Sequence, residues 1–123
     1  MAEFKDDRFY IAVKDGITII EWLANEYNYE DVDFGIKKRI EITEGKEYPM
    51  FSDLRTAKFG TREARQRLSD SDAGKGIIAV AVLVNSKVQR ILYNFFTSIY
   101  KDPAPTRLFT DKAEAYKWLE QYK

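Results

Sequence analysis

A chain of 123 residues with 45% hydrophobic and 15% aromatic side chains has the composition of a globular protein, and we expect one domain spanning residues 1–123. Twenty basic and twenty acidic side chains cancel, which argues against the positive field of a protein that binds nucleic acid. The absence of cysteine and histidine excludes disulfides, thiolate zinc sites, cysteine nucleophiles and imidazole bases.

The start of the chain, MAEFKDDRFY, is charged and lacks the apolar core of a signal peptide. The longest apolar run, Ile77–Val84, has eight residues, whereas a bilayer-spanning helix needs about 20. These features predict a cytoplasmic protein without a transmembrane segment.

The first predicted element is an antiparallel hairpin. The β-rich runs Phe9–Lys14 and Ile17–Trp22 flank Asp15-Gly16, a dipeptide that favours a tight type I′ turn. A helix is predicted next, with Asn28 as its N-cap and Gly45 at its end. Its apolar residues recur every four positions, at Val32, Ile36 and Ile40. Gly35 is the unfavourable residue in this helix, because glycine costs about 1 kcal/mol in a helix interior.

The predicted strands that follow differ in character. EYPMFSDL reads as a short strand ending near Asp53, and TRLF as a last short strand, Thr106–Phe109. Between them, Ile77–Val84 is apolar at every position, which is typical of a strand buried on both faces in a parallel sheet.

Three further helices are predicted between and after these strands. TREARQRLSDSDAGKG has few apolar positions, chiefly Ala64 and Leu68, and is expected to end at Gly74 or Gly76. A second helix begins at Asn85-Ser86 and runs to about Tyr100. The last helix begins with a capping-box-like pair, Asp111 and Glu114. One face of this helix is apolar and consists of Ala115, Trp118, Leu119 and Tyr122.

This order of elements predicts an α/β fold with a mixed sheet of about five strands and about four helices, an N-terminal hairpin followed by βαβαβα. The stretches YPMFSDLRTAKFGTREAR, GIIAVAVLVNSKVQRILYNFF and PAPTRLFTDKAEAYKWLEQY resemble the STAS domain of anti-sigma-factor antagonists. They also resemble a family of small uncharacterised bacterial proteins with the same sporulation-antagonist-like fold. The resemblance implies a non-enzymatic regulatory module that binds a protein partner, such as a regulator or a kinase-like protein.

In true antagonists, the resemblance implies a phosphorylated serine or threonine at the start of the helix after the third strand. Thr61 stands at the matching position and is the candidate phosphorylation switch. The family's usual acidic-Ser-Ser-Gly segment is absent, and FGTREAR takes its place. The alternative interpretation is that Thr61 is an ordinary N-cap, worth about 1 kcal/mol to the helix.

Ligands of open α/β sheets gather beyond the carboxyl ends of the parallel strands. The polar residues expected there are Ser52, Asp53, Arg55, Thr61, Asn85, Ser86, Thr110 and Asp111. Asp53 is a candidate general base or metal ligand. It has no second carboxylate at a useful spacing, however, so an ion pair with Arg55 or a turn is the simpler interpretation. Asn85 and Ser86 are most simply caps of the following helix. We therefore expect no enzymatic activity, no metal site and no cofactor.

A basic cluster follows Asp53 and forms the second candidate site. It comprises Arg55, Lys58, Arg62, Arg65 and Arg67. Such a cluster suits a phosphate, an acidic protein surface or anionic lipid. The alternative is a solvated helix face, because Glu63, Asp70 and Asp72 dilute the positive charge.

The third candidate is the predicted helix 86–100, which is apolar over most of its circumference. Tyr93, Phe96 and Tyr100 lie on a second face, which we expect to meet another subunit in a homodimer, an amphipathic ligand or a membrane surface. In the carrier interpretation, the anionic head of a lipid-like molecule lies near Arg90 or Arg107. The alternative is that these aromatic residues pack under the Pro103–Pro105 loop.

Overall fold

The computed structural model describes residues 3–85 and 104–123. The strands are β1 (Glu3–Lys5), β2 (Phe9–Lys14), β3 (Ile17–Trp22), β4 (Glu26–Tyr27), β5 (Tyr48–Asp53), β6 (Phe59–Gly60), β7 (Ile77–Leu83) and β8 (Thr106–Phe109). The α-helices in these ranges are α1 (Tyr29–Thr43), α2 (Arg62–Arg67) and α3 (Lys112–Leu119). Short 3-10 turns occupy Ser71–Gly74 and Glu120–Tyr122.

The main sheet has six strands in the order β1-β2-β3-β5-β7-β8. Strand β2 is antiparallel to both of its neighbours, β1 and β3, whereas β3, β5, β7 and β8 run parallel to one another. A separate two-stranded parallel ribbon joins β4 to β6. The mixed α/β fold predicted from the sequence is confirmed, with β1 as an additional edge strand.

The hairpin forms where the sequence predicts it, with Lys14 opposite Ile17. Asp15 and Gly16 have positive φ angles of 54° and 76°, as both central residues of a type I′ turn require.

Helix α1 begins at a capping box in which the side chain of Asn28 accepts from the Asp31 amide and the Asp31 carboxylate accepts from the Asn28 amide. It ends at Thr43, and Gly45 follows with a φ of 73°. Gly35 lies against the buried ring of Phe9, and a Cβ atom at this position would stand 2.7 Å from the Phe9 Cζ atom. Close packing against β2 therefore explains a glycine that helix propensity alone disfavours.

The sheet is covered on both faces. Successive strand residues point to opposite faces, and Ile11 and Ile20 pack with Val32 and Ile36 of α1. On the other face, helix α3 covers the central strands; this cluster contains Ile17, Phe51, Ala81, Leu83, Ala115 and Leu119. Residues 79–83 of β7 are all buried, and so is Val84, which follows the strand. This burial is expected for a strand covered on both faces. Near the start of the strand, Ile78 is the exception, with 37% of its surface exposed.

Helix α2 is shorter than the sequence predicts. The predicted helix reaches Gly74 or Gly76, but α2 ends at Arg67 and a separate 3-10 turn follows. The Ser-Asp-Ser-Asp run favours local turns over helix because its side chains compete for backbone hydrogen bonds. Arg67 also binds Asp70 and Asp72 beyond the helix end, which holds the chain in the turn.

The predicted helix from Asn85-Ser86 to about Tyr100 lies, apart from Asn85, outside the described residues. The candidate site residues Ser86, Arg90, Tyr93, Phe96 and Tyr100 therefore remain sequence predictions. Within residues 3–85 and 104–123, no helix combines the length and apolar character needed to cross a membrane.

Candidate functional site

The carboxyl edge of the sheet, defined by the ends of β3, β5, β7 and β8, brings together polar residues from distant parts of the chain. The register across the four parallel strands pairs Glu21 with Asp53, Asp53 with Leu83, and Leu83 with Phe109. Beyond these pairs, the Leu54 amide donates to the Leu83 carbonyl at 3.0 Å. The strand ends therefore form one row, and the predicted neighbourhood of Asp53, Arg55 and Asn85 is present.

Asp53 is buried at this edge, with 8% of its surface exposed, and its carboxylate is held by Arg55. It accepts hydrogen bonds from the Arg55 amide at 3.1 Å, from Nε at 3.0 Å and from Nη2 at 2.8 Å. The bond with Asp53 raises the pKa of Arg55, and the charge of Glu21 acts in the same direction. The pair is the structural ion pair that the sequence favours, and the occupied carboxylate is poorly placed to act as a base.

Asn85, two residues after the end of β7, is hydrogen-bonded to the loop that follows β5. Its Nδ2 atom donates to the Arg55 carbonyl at 3.3 Å. Any capping of a following helix by Asn85 involves residues outside the described ranges. Asn85 therefore joins the Asp53–Arg55 pair as a positioning residue for this loop.

Two residues of the carboxyl edge were missed by the sequence reasoning. Tyr116 of α3 stacks on Phe51, with ring centroids 4.6 Å apart and planes 25° apart. Burial raises the pKa of Tyr116, and the nearby carboxylates of Glu21 and Asp53 raise it further. Glu21 could have been found from the parallel register with β5, whereas Tyr116 depends on how α3 docks on the sheet.

Residues 54–61, between β5 and α2, form a loop that we call the display segment. Its backbone is hydrogen-bonded to the residues just before α1. The Lys58 amide donates to the Asn25 carbonyl at 2.8 Å, and the Thr61 amide to the Tyr27 carbonyl at 3.0 Å. Between these bonds runs the β4–β6 ribbon. The segment is thus held in place by backbone pairing.

Thr61 is the N-cap of α2. Its Oγ1 atom accepts from the Ala64 amide at 3.1 Å, and the residue is partly exposed. The capping interpretation from the sequence is confirmed. Phosphorylation of the same hydroxyl stays a prediction.

The basic cluster separates into exposed and engaged residues. Lys58 and Arg62 are exposed. Arg55 has 47% of its side chain exposed while it binds Asp53, and Arg65 donates from Nη1 to the Gly60 carbonyl at 2.8 Å. The inclusion of Arg67 in a surface cluster was wrong, since its side chain is only 4% exposed.

Arg67 is a buried structural residue because three carboxylates surround it. It contacts Asp33 at 3.0 Å, Asp70 at 3.1 Å and Asp72 at 2.7 Å. Its hydrogen bonds are the main cause of the lowered pKa of Asp72. The hydrogen bond from Lys37 is the main cause of the lowered pKa of Asp33, and the hydrogen bond from Arg67 is the next. This arrangement joins α1, α2 and the 3-10 turn.

Within the ranges that the structure describes, no group of three or more acidic, histidine or cysteine side chains is arranged to hold a metal ion.

Comparison with known proteins identifies the fold. An uncharacterized protein of the DUF3478 family with a SpoIIAA-like fold, from Shewanella loihica PV-4, aligns with a TM-score of 0.71 and 16% identity, over 94% of this chain and 97% of that one. This likeness confirms the predicted sporulation-antagonist-like fold. A protein with unknown function from Arthrobacter sp. FB24 aligns at 25% identity over 89% of this chain and 97% of that one, with a TM-score of only 0.36.

No curated protein matches the chain at a significant level. The model of the family described as Domain of unknown function (DUF7793) matches residues 10–123. This match spans nearly the whole sequence, and the chain belongs to that family.

Proposed function

We propose that this chain is a single, non-enzymatic protein-interaction module of the anti-sigma-factor-antagonist type, acting in the bacterial cytoplasm and switched by phosphorylation of Thr61. One observation carries the proposal. In a SpoIIAA-like fold, Thr61 is a partly exposed residue whose hydroxyl lies at the start of the helix that follows β5. This is the position that the resemblance to the antagonists assigns to the switch residue.

The charge of the display segment supports an acidic protein partner. The display segment and the residue after it contain Lys58 and Arg62, with Arg55, which binds Asp53, and no acidic residue. A phosphate on Thr61 adds about −1.5 to −2 charges at neutral pH. Phosphorylation therefore removes much of the local positive charge, and an acidic partner surface is released.

The backbone contacts of Thr61 place the added charge beside two helix starts. Its amide donates to the Tyr27 carbonyl, and Tyr27 directly precedes Asn28, the N-cap of α1. A phosphate at a helix N-terminus is compatible with the cap, because its oxygens accept backbone hydrogen bonds and the helix dipole favours negative charge there. The switch therefore acts through the charge of the partner surface, with the cap of α2 kept.

The test separates capping from charge with three variants. Thr61→Ala removes the cap without adding charge, whereas Thr61→Asp keeps a capping carboxylate and adds a negative charge. Thr56→Asp is the matched control, because Thr56 is exposed in the same segment and precedes no helix. Each immobilised variant is exposed to cytosol of the native host at about 0.1 M salt, where charged contacts across about 10 Å are still felt.

We expect the wild type and Thr61→Ala to retain the same protein equally, and Thr56→Asp to retain somewhat less because it lowers the positive charge of the same segment. Thr61→Asp should retain at least about tenfold less than the wild type, an effect of about 1.4 kcal/mol. Equal retention by Thr61→Asp and the wild type would contradict the proposal. Equal loss with Thr56→Asp would show a general charge effect in place of a switch at Thr61.

The carrier hypothesis and the homodimer through the aromatic helix rest on residues outside the described ranges and stay sequence predictions. Of the residues named in the carrier hypothesis, Arg107 lies within the described ranges. Its guanidinium lies 5.4 Å from the centroid of the Phe109 ring.

A further inference from the structure

The edge strand β1 carries a self-complementary surface. Among the described strands it has a neighbour, β2, on one side only. Its sequence is Glu3-Phe4-Lys5, so opposite charges flank a central aromatic residue. An exposed strand edge is a template for pairing with another chain, and natural edges are commonly protected by a lysine. Here Glu3 stands two residues from the protecting Lys5. On the β2 side, one carboxylate oxygen of Glu3 accepts from the Tyr10 hydroxyl at 2.5 Å and lies 3.5 Å from the Lys14 ammonium, so pairing with a second copy adds a contact to an exposed carboxylate that already has two.

The backbone groups that point outward can be derived from the register. The Asp6 amide donates to the Phe9 carbonyl, so these two residues form a hydrogen-bonded pair. Hydrogen-bonded pairs alternate along an antiparallel ladder, so Phe4 bonds to Ile11, its partner in the register. The amides and carbonyls of Glu3 and Lys5 therefore face away from β2.

We propose that two copies of this chain pair through β1, antiparallel about Phe4, to form one continuous sheet of twelve strands from two six-stranded sheets. In this register Glu3 lies opposite Lys5 of the second copy, and Lys5 lies opposite Glu3. Both are the hydrogen-bonded pairs that the outward backbone groups require. Opposite charges directly across an antiparallel pair are stabilising, and like charges are destabilising.

The other face of the same edge adds an apolar contact. The Phe4 ring lies 5.5 Å from that of Phe34, a helix α1 residue that is 40% exposed. The Lys38 ammonium lies 5.0 Å from the Phe4 ring centroid and 5.7 Å from that of Phe34. Pairing about Phe4 places the two Phe4 residues at a close, non-hydrogen-bonded position, and the two Phe34 rings flank them.

This dimer is independent of the proposed switch. Strands β2 and β3 separate β1 from β5, whose carboxyl end leads to Thr61, so β1 lies about 14 Å from β5 across the sheet. A result on one surface therefore does not decide the other.

Sedimentation velocity of the full chain over a range of protein concentration tests the proposal. We expect a dimer in the wild type and at least about a tenfold higher dissociation constant for Lys5→Glu, which places Glu3 opposite a second acidic residue in both pairs. Lys75→Glu makes the same charge change at an exposed site far along the sequence and should leave the dimer unchanged.

A mixing experiment distinguishes this register from a nonspecific charge effect. Glu3→Lys alone and Lys5→Glu alone should each dimerise at least about tenfold more weakly than the wild type, whereas their equimolar mixture should form a heterodimer of about wild-type affinity, because lysines then oppose glutamates in both pairs. A monomeric wild type at about 200 μM, a concentration well above that needed by a micromolar dimer, overturns the proposal. A Lys5→Glu variant with the dissociation constant of the wild type, or a mixture that associates no more tightly than either variant alone, also overturns it.

Discussion

Replacing Gly35 by alanine sets two effects of known size against each other. In an exposed helix, alanine is favoured over glycine by about 1 kcal/mol. At this position, however, the new Cβ atom would stand 2.7 Å from the Phe9 Cζ atom and 3.1 Å from Cε2. Such overpacking of a core costs about 1–3 kcal/mol unless the neighbouring side chain moves.

The ring of Phe9 has little room to move. Only 1% of Phe9 is exposed, and its centroid lies 5.0 Å from that of Trp22 and 5.3 Å from that of Tyr27. We therefore expect a clash in the upper part of this range, about 2–3 kcal/mol, against a propensity gain of about 1 kcal/mol. Gly35→Ala should then lower the free energy of unfolding by about 1–2 kcal/mol. At about 3–5 °C per kcal/mol for a chain of this size, Tm falls by about 3–10 °C.

Urea unfolding of four proteins supplies the assay: wild type, Gly35→Ala, Phe9→Leu and the double variant. With the ring shortened, Gly35→Ala should become neutral or stabilising, with a coupling of about 1–2 kcal/mol between the two positions. Gly45→Ala is the control, since no atom lies within 4 Å of its added Cβ and its cost comes from a φ of +73°. That cost should be the same in both backgrounds. A Gly35→Ala variant more stable than the wild type would refute the packing argument.

Three further predictions concern the ion pairs and the helix cap. Arg67→Met should lower the free energy of unfolding by about 2–3 kcal/mol, less than a fully buried pair loses, because the orphaned carboxylates can be rehydrated. Arg67 holds the pKa of Asp72 in the folded protein below its ordinary value, so the stabilisation is complete above the unfolded-state pKa of Asp72 and is lost as pH falls through its folded-state pKa. The stability of the wild type should therefore fall more steeply below about pH 4 than the stability of Arg67→Met. Parallel pH profiles of the two proteins would contradict this. Asp53→Asn should cost about 1–2 kcal/mol and speed amide exchange in residues 54–58, and unchanged exchange there would show that the pair does not hold the loop. Thr61→Ala should cost about 1 kcal/mol and Thr61→Ser almost nothing in thermal unfolding, whereas equal losses would argue against a capping role.

Local chemistry explains which elements the sequence could predict. The hairpin, the Asn28 cap and the Thr61 cap depend on residues within a few positions of one another, and each appears where it was expected. The strand Thr106–Phe109 has the predicted bounds, because proline and threonine mark its start and an Asp cap follows its end.

The elements that were missed depend on contacts between distant residues. Three residues of β1 are too few to show a period, and their strand structure comes from pairing with β2. The early end of α2 follows from Arg67, which also binds Asp33, 34 positions away. At the carboxyl edge, the contribution of Glu21 depends on strand register and that of Tyr116 on the docking of α3.

The most direct test of a switch at Thr61 is the intact mass of the protein isolated from its native host, before and after phosphatase treatment, with fragmentation to locate any modification. We expect a phosphate-sized increment that maps to Thr61 and disappears with phosphatase, and its absence from Thr61→Ala isolated in the same way. An unmodified Thr61 under every growth condition in which the partner is bound and released, or a phosphate that maps to another residue, would contradict a switch at this position.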